Sequence, residues 1–458
     1  MPNQTADVVI CGAGLAGVAA AYYLAVGHGI RDIVLVDERE PLSLTSSSST
    51  ECYRNWWPGP GDAMVRLMNR SIDLLEAIAR ETDNRIALNR RGYLFATGDP
   101  ARIDEFVQAA EESARLGAGP ARVHRGAPGD PEYLPAPAEG WEGLPTGADV
   151  IIDRALIRRH FPYLTDRAVV VLHARRCGWL SAAALGHYLL EQARAAGARL
   201  LRGSVTGVEV SGGRVRGVQL GAGAGGIATE RFVNAAGPSF KPVGAMLGLE
   251  LPVFCELHMR ATFEGDATTI PMAAPLVIWM DPTSLYHSAR ERAELERRED
   301  GPALLAPYPP GVHLRPAGTP ERPQALGLWT FDMAPREPLI PPPVDQHHGE
   351  LTLRGLASVI PSLATLVERG TPVRVDAGYY TKTAENRPLI GPTPVEGAYL
   401  MGAISGFGVM GACGFGELLA AHLTGADLPD YAAAFLLSRY DDPAYQQLLG
   451  RWGSSGQL

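Results

Sequence analysis

The stretch DVVICGAGLAGVAAAYYLAVGHGIRDIVLVD, residues 7–37, decides the fold of this 458-residue chain. Residues 8–11 and 33–36 are short apolar runs, as is typical of parallel strands buried on both faces of a sheet. A glycine-rich turn follows the first run at 12–17, and the alanine-rich residues 18–26 contain no helix breaker. The order strand, turn, helix, strand within about 30 residues predicts a βαβ unit.

The turn has the spacing Gly12-x-Gly14-x-x-Gly17, which is a fingerprint of dinucleotide binding. Gly12 permits the tight turn, Gly14 lets the backbone approach a pyrophosphate, and Gly17 lets the helix pack closely on the strand. The helix N-terminus supplies N–H groups and a positive dipole end. The predicted binding residues of the turn are Gly12, Ala13, Gly14, Leu15, Ala16 and Gly17. The alternative is a glycine turn that binds nothing.

The second strand ends at Asp37, 20 residues beyond Gly17, where a carboxylate can accept hydrogen bonds from ribose hydroxyls. Glu38 takes this place if the strand register differs by one residue. An acid here disfavours NADP, whose extra phosphate it would repel, but it does not separate NAD from FAD.

The net charge of −9, with 46% hydrophobic and 20% charged residues, is typical of an ordinary globular protein. This acidic balance argues against a nucleic-acid or anionic-membrane binder, whose affinity depends on basic patches. The five cysteines are widely spread and form no CxxC pair, so we expect neither a disulfide framework nor a metal site. Residues 398–423, the most membrane-like stretch, are rich in glycine. We expect a cytoplasmic protein without a membrane span.

The rest of the chain shows two patterns. Periodicity and composition predict further helices over 64–80, 103–116, 181–196, 288–298 and 414–423, with a loop over 405–411. A Gly212-Gly213 pair between apolar runs predicts a hairpin. From about residue 250 to 375, short strand-like runs alternate with proline-rich loops, which indicates an antiparallel sheet and a second domain.

Two C-terminal segments add a family resemblance. YYTKTAENRPLIG at 379–391 and GAISGFGVM at 402–410 resemble the C-terminal signature of the D-amino-acid-oxidase-like FAD superfamily. The segment NAAGP at 234–238 is similar to the family's Ala-Gly turn, and GWLS at 178–181 to the segment before its adenine-contacting strand. The chain most resembles the branch of sarcosine oxidase and dimethylglycine dehydrogenase.

The resemblance implies a Rossmann-like FAD-binding domain interleaved with an antiparallel-sheet substrate domain, an α/β plus α+β fold. The FAD domain would use 1–80, 150–250 and 375–458, and the substrate domain 81–149 and 251–374. FAD would be bound without a covalent link. Besides the fingerprint, Asp37 and Glu38, the implied cofactor-binding residues are Thr50, Val205, Ala236, Gly237, Gly402, Ser405, Gly406, Phe407, Gly408, Val409 and Met410.

The implied reaction is oxidation of a C–N bond in a secondary or N-alkyl amine or amino acid. The neutral amine would give a hydride to flavin N5, and water would hydrolyse the imine. The electron acceptor would be oxygen or an acceptor protein or quinone. One alternative is oxidation of a C–O bond in a 2-hydroxy acid or related compound. Another is a structural or regulatory flavin-binding subunit that does not turn over.

At the reacting end, Arg54 resembles the family's carboxylate-holding arginine, a role that suits a planar, permanently charged, bidentate group. Tyr380 and Arg315 are the other residues predicted to act on the substrate. Predicted lining residues are Trp56, Trp57, Phe407, Met410 and His313. We interpret His258 and His313 as structural histidines, because nothing adjacent forms a recognisable relay.

Four positions depart from the family pattern. Met410 stands where the family has a second carboxylate-binding lysine, which hints at a bulkier or less anionic substrate than sarcosine. Gly327, in the run 326–328, stands where sarcosine oxidase has its oxygen-activating lysine, so a dehydrogenase is favoured over an oxidase. Gly378 replaces a flavin-linked cysteine. Cys52 lies near the flavin-linked histidine of dimethylglycine dehydrogenase, but a buried thiol is the simpler interpretation.

Overall fold

The structure of the protein is a computed structural model that describes residues 4–57, 59–221, 223, 225–450 and 452. Residues 1–3 and most of 451–458, at the outer ends of the predicted FAD domain, lie outside the described residues. Within the described residues, the strands form sheets of four, six, nine and two strands. The prediction of a mixed α/β fold with both parallel and antiparallel sheets is confirmed.

The predicted βαβ unit lies at the centre of the six-stranded sheet. From edge to edge its strands are Arg199–Arg202, Ile33–Asp37, Val8–Cys11, Phe232–Asn234, Ala398–Gly402 and Leu389–Pro392. Neighbouring strands run parallel except for the last pair, which is antiparallel. Val8–Cys11 is buried along its whole length, as expected for a central parallel strand covered on both faces.

Each of the six helices predicted from the sequence has a counterpart in the structure, and the six other α-helices in the described part of the chain were not predicted. Over the described residues the α-helices are Leu15–Tyr22, Ala63–Glu81, Ile103–Arg115, Arg154–His160, Ala182–Ala195, Phe240–Ala245, Ala289–Leu295, Gly301–Leu304, His347–Val359, Ala364–Glu368, Gly408–Thr424 and Pro443–Leu449. A π-helical turn, Tyr23–Gly27, extends the first helix. None of the helices in the described residues is both long and apolar enough to span a membrane.

The predicted loop over 405–411 is wrong in its second half, because the helix Gly408–Thr424 begins at Gly408. Its glycines serve close helix packing. A Cβ built on Gly416 would lie 2.9 Å from the carbonyl oxygen of Ala19, and one on Gly414 would lie 3.2 Å from that of Leu67. Larger residues at these positions would force the helices apart.

The four-stranded sheet contains the predicted hairpin. Its strands in order are Gln4–Thr5, Gly226–Ala228, Arg214–Leu220 and Val205–Ser211. Gly212 and Gly213 have φ angles of +63° and +76°, the left-handed backbone that a two-residue hairpin turn requires. The hairpin prediction is confirmed.

The nine-stranded sheet is mainly antiparallel. Its strands in order are Val373–Lys382, Phe254–Glu264, Arg322–Leu328, His313–Thr319, Leu276–Trp279, Tyr93–Thr97, Val170–Ala174, Ala148–Ile151 and Ala121–His124. Two neighbouring pairs, 276–279 with 93–97 and 121–124 with 148–151, run parallel. A separate two-stranded sheet pairs Cys52–Arg54 with Cys177–Trp179.

The strands Val170–Ala174 and Val373–Lys382 belong to the nine-stranded sheet, although the predicted boundaries place all or most of them in the FAD domain. Sheet membership alone does not set a domain boundary. The boundaries at 80, 150, 250 and 375 stay a prediction.

The helix His347–Val359 packs against one face of the nine-stranded sheet. A Cβ on Gly327 would lie 2.8 Å from Leu356 Cδ1, so this position faces the helix. Successive strand residues point to opposite faces, so Leu326 and Leu328 point to the other face, which we call the cleft-side face. A side chain at position 327 would meet the helix, and the alignment of Gly327 with the lysine of sarcosine oxidase stays a prediction. The cleft-side positions of this strand segment hold leucines.

Candidate active site

A cleft of about 980 Å³ lies at the carboxyl ends of the parallel strands of the six-stranded sheet. Segments 12–16, 42–46, 235–238, 379–381 and 401–409 contribute to its lining, together with Asp37, Glu40 and Ser49. Two of these segments directly follow a parallel strand and a third, 401–409, begins at the end of one, which is the usual position of a binding crevice in an open α/β sheet.

The three fingerprint glycines have different roles. Gly12 has a φ of +107°, and a Cβ there would lie 2.4 Å from the carbonyl oxygen of Ala235. A Cβ on Gly17 would lie 1.9 Å from the carbonyl oxygen of Gly12. A Cβ on Gly14 would have a single neighbour in the described part of the chain, the Ser46 hydroxyl at 3.4 Å. Gly12 and Gly17 therefore serve packing, whereas Gly14 keeps the cleft open.

The N-terminus of the helix Leu15–Tyr22 opens on this cleft. Its N-cap residue is Gly14, which has no side chain to satisfy the first N–H groups. The Leu15 N–H donates to the Ser46 hydroxyl at 3.0 Å. A helix N-terminus without a side-chain cap attracts an anion such as a phosphate.

Asp37 holds the glycine turn in place. Its Oδ2 accepts a hydrogen bond from the Ala13 N–H at 2.7 Å, and its Oδ1 accepts from the Arg39 N–H at 2.9 Å. Each carboxylate oxygen has two lone pairs, so each can accept one further hydrogen bond from a ligand. Glu38, the alternative, is absent from the cleft lining, and its side chain is 58% exposed beside Arg39. Glu40 contributes to the lining instead.

Hydrogen bonds join three segments at the other end of the cleft. The Ser405 N–H donates to the Thr381 carbonyl at 2.9 Å, and the Thr381 hydroxyl donates to the Gly237 carbonyl at 3.0 Å. Ala403 and Ser405 have φ angles of +54° and +42°, which non-glycine residues rarely adopt. This loop is held in a strained shape against the cleft, a pattern that is enriched at functional sites.

Seven residues predicted to bind the cofactor do not line this cleft: Ala13, Gly17, Glu38, Thr50, Val205, Phe407 and Met410. The Thr50 carbonyl accepts from Arg315 Nε at 2.6 Å, and Val205 pairs with Leu220 in the four-stranded sheet. The other predicted cofactor residues, namely Gly12, Gly14, Leu15, Ala16, Asp37, Ala236, Gly237, Gly402, Ser405, Gly406, Gly408 and Val409, lie together along it.

Phe407 and Met410 lie behind the cleft wall. The Phe407 ring packs edge-on against Trp57, with ring centroids 5.3 Å apart. Met410 is 4% exposed in the apolar core, and its carbonyl accepts from the Ser71 hydroxyl at 2.6 Å. The inference of a bulkier substrate from Met410 therefore has no contact to support it.

Arg54 is buried behind this wall, at 4% exposure. Its guanidinium carbon lies 4.4 Å from the centroid of the Trp57 ring, a cation–π contact. Burial lowers the Arg54 pKa. The contacts from Arg54 to Trp57 and from Trp57 to Phe407 connect this cation to the loop that lines the cleft.

His313 lies on the cleft-side face, near Arg54. Its pKa is lowered to about 4, chiefly by burial; the hydrogen bond to the Gly311 carbonyl raises the pKa, and the charges of His258 and Arg54 lower it. His313 is therefore neutral at neutral pH. Since His258 stacks on Tyr380, a lining residue, these histidines extend from the cleft towards Arg54.

Arg315 and Trp56, also predicted at the substrate site, have other partners. Arg315 forms an ion pair with Glu51 at 2.6 Å, and its Nε donates to the Thr50 carbonyl. Trp56 packs against Phe95 in a separate apolar cluster. Arg315 therefore holds the loop before Arg54, and nothing places it against a substrate.

Sequence reasoning missed a buried polar cluster on the cleft-side face. Glu256 Oε2 lies 3.1 Å from His258 Nε2, and Lys382 Nζ lies 3.1 Å from both Glu256 oxygens. The expectation that nothing adjacent forms a relay with His258 is therefore wrong. The signal was the i, i+2 spacing of Glu256 and His258 on a strand, together with a lysine in a chain that has only two.

The remaining chemically reactive side chains are the cysteines and the groups that could bind a metal. All five cysteines are free and buried, and burial raises the Cys52 pKa, so Cys52 is a thiol rather than a nucleophilic thiolate. Gly378 faces the N-terminal loop, where a Cβ would lie 3.3 Å from Thr45 Cα. Across the described ranges, no group of three or more His, Cys, Asp or Glu side chains is placed to hold a metal ion.

Comparisons with known proteins identify the family of the chain. The model of the DAO family, FAD dependent oxidoreductase, matches residues 7–422. Human mitochondrial dimethylglycine dehydrogenase is 23% identical over 423 residues, which is 91% of this chain and 42% of that protein. Sarcosine oxidase subunit beta of Rhizobium meliloti is 25% identical over 272 residues, 58% of this chain and 57% of that one. This chain thus spans less than half the length of the dimethylglycine dehydrogenases that it matches.

The fold is also similar to solved structures. L-proline dehydrogenase from P. horikoshii superposes with a TM-score of 0.72 at 19% identity, covering 96% of this chain and 99% of that one. The chain belongs to the DAO family of FAD-dependent oxidoreductases. The predictions of this family, of its sarcosine oxidase and dimethylglycine dehydrogenase branch, and of FAD as cofactor are confirmed.

The residues of the cleft fit FAD. Gly14 leaves room at an uncapped helix N-terminus for a pyrophosphate, and Asp37 keeps acceptor capacity for a ribose. Near Gly237, which has a φ of +53°, a Cβ would have no neighbour within 4 Å among the described residues, so the opposite end is open as well. Residues of the segments 45–49, 379–381 and 402–406 line the cleft and would hold the flavin ring when FAD is bound.

Proposed function

We propose that this protein oxidises the C–N bond of a secondary or N-alkyl amine that also has a carboxylate, such as an N-alkyl amino acid. The observation that carries the proposal is the buried guanidinium of Arg54 behind the wall of the FAD cleft, to which Trp57 and Phe407 connect it. When bound, FAD would supply the two-electron oxidation, and the imine product would be hydrolysed in water. The relatives' names support this choice, because dimethylglycine, sarcosine and L-proline all combine an amine with a carboxylate.

Arg54 would bind the substrate carboxylate. A guanidinium has five donors in a planar fork and keeps its charge in a buried place, so it matches a carboxylate bidentately. Trp57 stacks on it and limits its rotation. An orientation fixed before binding lowers the entropy lost when the substrate is held.

The surrounding groups favour a neutral amine. His313 and His258 both have lowered pKa values, caused chiefly by burial, so neither adds positive charge at neutral pH. Tyr380 keeps its proton, because burial raises its pKa to about 12. Beside one guanidinium, these three neutral side chains would leave the carboxylate as the charged part of the substrate, and the deprotonated amine would face the FAD cleft.

The electron acceptor, oxygen or an acceptor protein or quinone, stays a prediction. Leucines at 326 and 328 occupy the cleft-side positions of the strand on which sarcosine oxidase would have its lysine. This supports a dehydrogenase.

Variants of Arg54 test the proposal. Arg54→Met should raise the KM for an N-methyl amino acid by about 100-fold or more, because a charge-assisted bidentate contact is lost, while FAD stays bound. Arg54→Lys keeps the charge but not the fork and should give an intermediate KM. An amine that has no carboxylate is the matched substrate control and should react equally with all three proteins. Equal KM values for the amino acid in all three proteins would contradict the role of Arg54.

A further inference from the structure

Two residues of the buried polar cluster on the cleft-side face, Glu256 and Lys382, have no place in the reaction described so far. Glu256 and His258 lie on the strand Phe254–Glu264, and Tyr380 and Lys382 lie on the neighbouring strand Val373–Lys382. Glu256 is directly opposite Tyr380 in the antiparallel register. Because side chains two residues apart share a face, all four lie on the same side of the sheet.

Hydrogen bonds order this cluster from Lys382 to His258. Lys382 and Glu256 are each 4% exposed, and His258 is 8% exposed. The carboxylate of Glu256 can only accept, so His258 Nε2 must carry the proton that it donates to Glu256 at 3.1 Å. His258 Nδ1 is then an acceptor and receives the Thr330 hydroxyl proton at 2.9 Å. The cluster thereby fixes both the tautomer and the ring plane of His258.

The imidazole of His258 contacts Tyr380, which lines the cleft. It stacks on the phenol ring of Tyr380, with centroids 3.7 Å apart and planes at 19°. Tyr380 also lies against Gly406, where a Cβ would be 2.5 Å from the Tyr380 ring. The Tyr380 ring therefore has a fixed neighbour in the sheet and another in the loop that lines the cleft.

We propose that Lys382, Glu256 and His258 are positioning residues that set the orientation of the Tyr380 ring against the bound flavin and the substrate amine. A buried Lys–Glu pair is rarely more stabilising than apolar residues of the same volume, so fold stability alone explains it poorly. The Lys382–Glu256 pair instead fixes the tautomer and the ring plane of His258. This proposal rests on one part of the proposed function, namely that the cleft holds FAD.

The first test uses the visible circular dichroism of FAD bound to the whole protein, which reports on the ring's surroundings without turnover. His258→Leu and Tyr380→Leu should each change this spectrum, and the double variant should resemble Tyr380→Leu, because His258 acts through Tyr380. His348→Leu is the matched control. His348 is also buried, at 5% exposure, and stacks on Phe331 with a 5.0 Å separation of ring centroids, but it is on the helix that covers the other face.

Lysine variants test the far end of the network. Lys382→Met leaves the Glu256 charge without its cation and should shift the spectrum towards that of His258→Leu, whereas Lys382→Arg should restore the wild-type spectrum. With saturating amine, Lys382→Met should slow anaerobic flavin reduction by about 10- to 100-fold with little change in half-saturating concentration, as for a small misplacement at the reacting centre.

Additive spectral changes for His258→Leu and Tyr380→Leu would overturn the proposal, as would a His258→Leu spectrum no different from that of His348→Leu. If the wild-type protein binds FAD but no amine reduces it, the proposed reaction fails while the spectra still decide the positioning role. If a variant loses FAD, the coupling free energy between His258 and Tyr380 is measured by unfolding of the apoprotein with the same double-mutant cycle, and a value of zero contradicts the proposal.

Discussion

Arg315 and Glu51 form an ion pair, with Nη2 and Oε2 2.6 Å apart, between residues 264 positions apart in the chain. Arg315 comes from the nine-stranded sheet, and Glu51 from the loop that leads to Arg54. Glu51 also accepts a hydrogen bond from the Ala182 N–H at 3.0 Å, at the start of the helix Ala182–Ala195. This pair thus connects the sheet, the loop and the helix around the candidate substrate site.

We expect Arg315→Met to lower the free energy of unfolding by about 2–3 kcal/mol, because Glu51 and the Thr50 carbonyl lose their donor in a largely buried place. The partial exposure of Glu51, 27% of its side chain, keeps the loss below that of a fully buried pair. Glu51→Gln should lower it by only about 1 kcal/mol, because the amide oxygen keeps one of the two hydrogen bonds that the carboxylate oxygens accept. Urea unfolding of the two variants checks this order, and equal losses would contradict it.

The fingerprint glycines separate stability from cofactor binding. Gly14→Ala should change the free energy of unfolding by less than about 1 kcal/mol, because its backbone has a φ of −68° and its Cβ would be free of clashes. The new methyl group should nevertheless weaken FAD binding, because it points into the cleft. Gly12→Ala should lose at least about 2 kcal/mol of stability, since both its φ and its space exclude a Cβ. FAD titration and thermal unfolding of both variants distinguish the two roles. A Gly14→Ala protein with unchanged FAD affinity would refute the role of Gly14 in cofactor binding.

Variants of Asp37 and Glu38 compare the two acidic residues predicted to bind the ribose of FAD. We expect Asp37→Ala to raise the Kd for FAD by about 10- to 100-fold, because it removes a ribose acceptor and frees the glycine turn at Ala13. Glu38→Gln should leave the Kd unchanged, because the Glu38 side chain points to solvent. Fluorescence titration of the apoproteins measures both values. A larger effect at Glu38 would indicate that the register alternative is correct.

His173 predicts a pH dependence of stability. Its pKa falls from 6.5 to about 3, chiefly because of burial and then because of the charge of Arg175. Its Nε2 donates to the Arg91 carbonyl at 2.9 Å, and its Nδ1 accepts from the Tyr133 hydroxyl. The unfolded chain takes up this proton first as pH falls, so the stability present above about pH 6.5 is lost progressively between pH 6.5 and 3.

The matched variant is His173→Asn, which cannot titrate. The free energy of unfolding should fall by up to about 1.4 kcal/mol more per pH unit in the wild-type protein than in the variant over this window. Denaturant unfolding from pH 7 to pH 4 supplies both slopes. Identical slopes would contradict the prediction, because they would show that the pKa of His173 in the folded protein does not lie below its unfolded value.

The sequence predicted best where local pattern and tertiary role agree. The βαβ unit follows from uninterrupted apolar strands and a glycine spacing with one backbone solution, and the hairpin follows from Gly212-Gly213. The helix Gly408–Thr424 begins before its predicted start at 414, because its first glycines were interpreted as loop formers. They are small residues that let neighbouring helices approach, which depends on the partner helix.

The substrate side was less predictable because its relationships join distant segments. The helix His347–Val359 begins with two histidines and a glycine and was not predicted, yet Gly349 fits against Val375 of the sheet and Gly355 against Trp329, which directly follows a strand of the sheet. The partnership of Glu256 with Lys382 spans 126 positions and depends on strand register. A single sequence gives no direct signal of such a register.

The central claim is that this flavoprotein oxidises C–N bonds of carboxylate-bearing amines. The measurement that tests it most directly is anaerobic reduction of the FAD-loaded protein, followed by bleaching of the flavin band at about 450 nm. N-methyl amino acids of increasing side-chain size would be compared with the 2-hydroxy acids of the same carbon skeleton, with dithionite as the control for reducible flavin. We predict bleaching by at least one N-methyl amino acid and by none of the hydroxy acids. Bleaching by the hydroxy acids alone, or by dithionite alone, would contradict the claim.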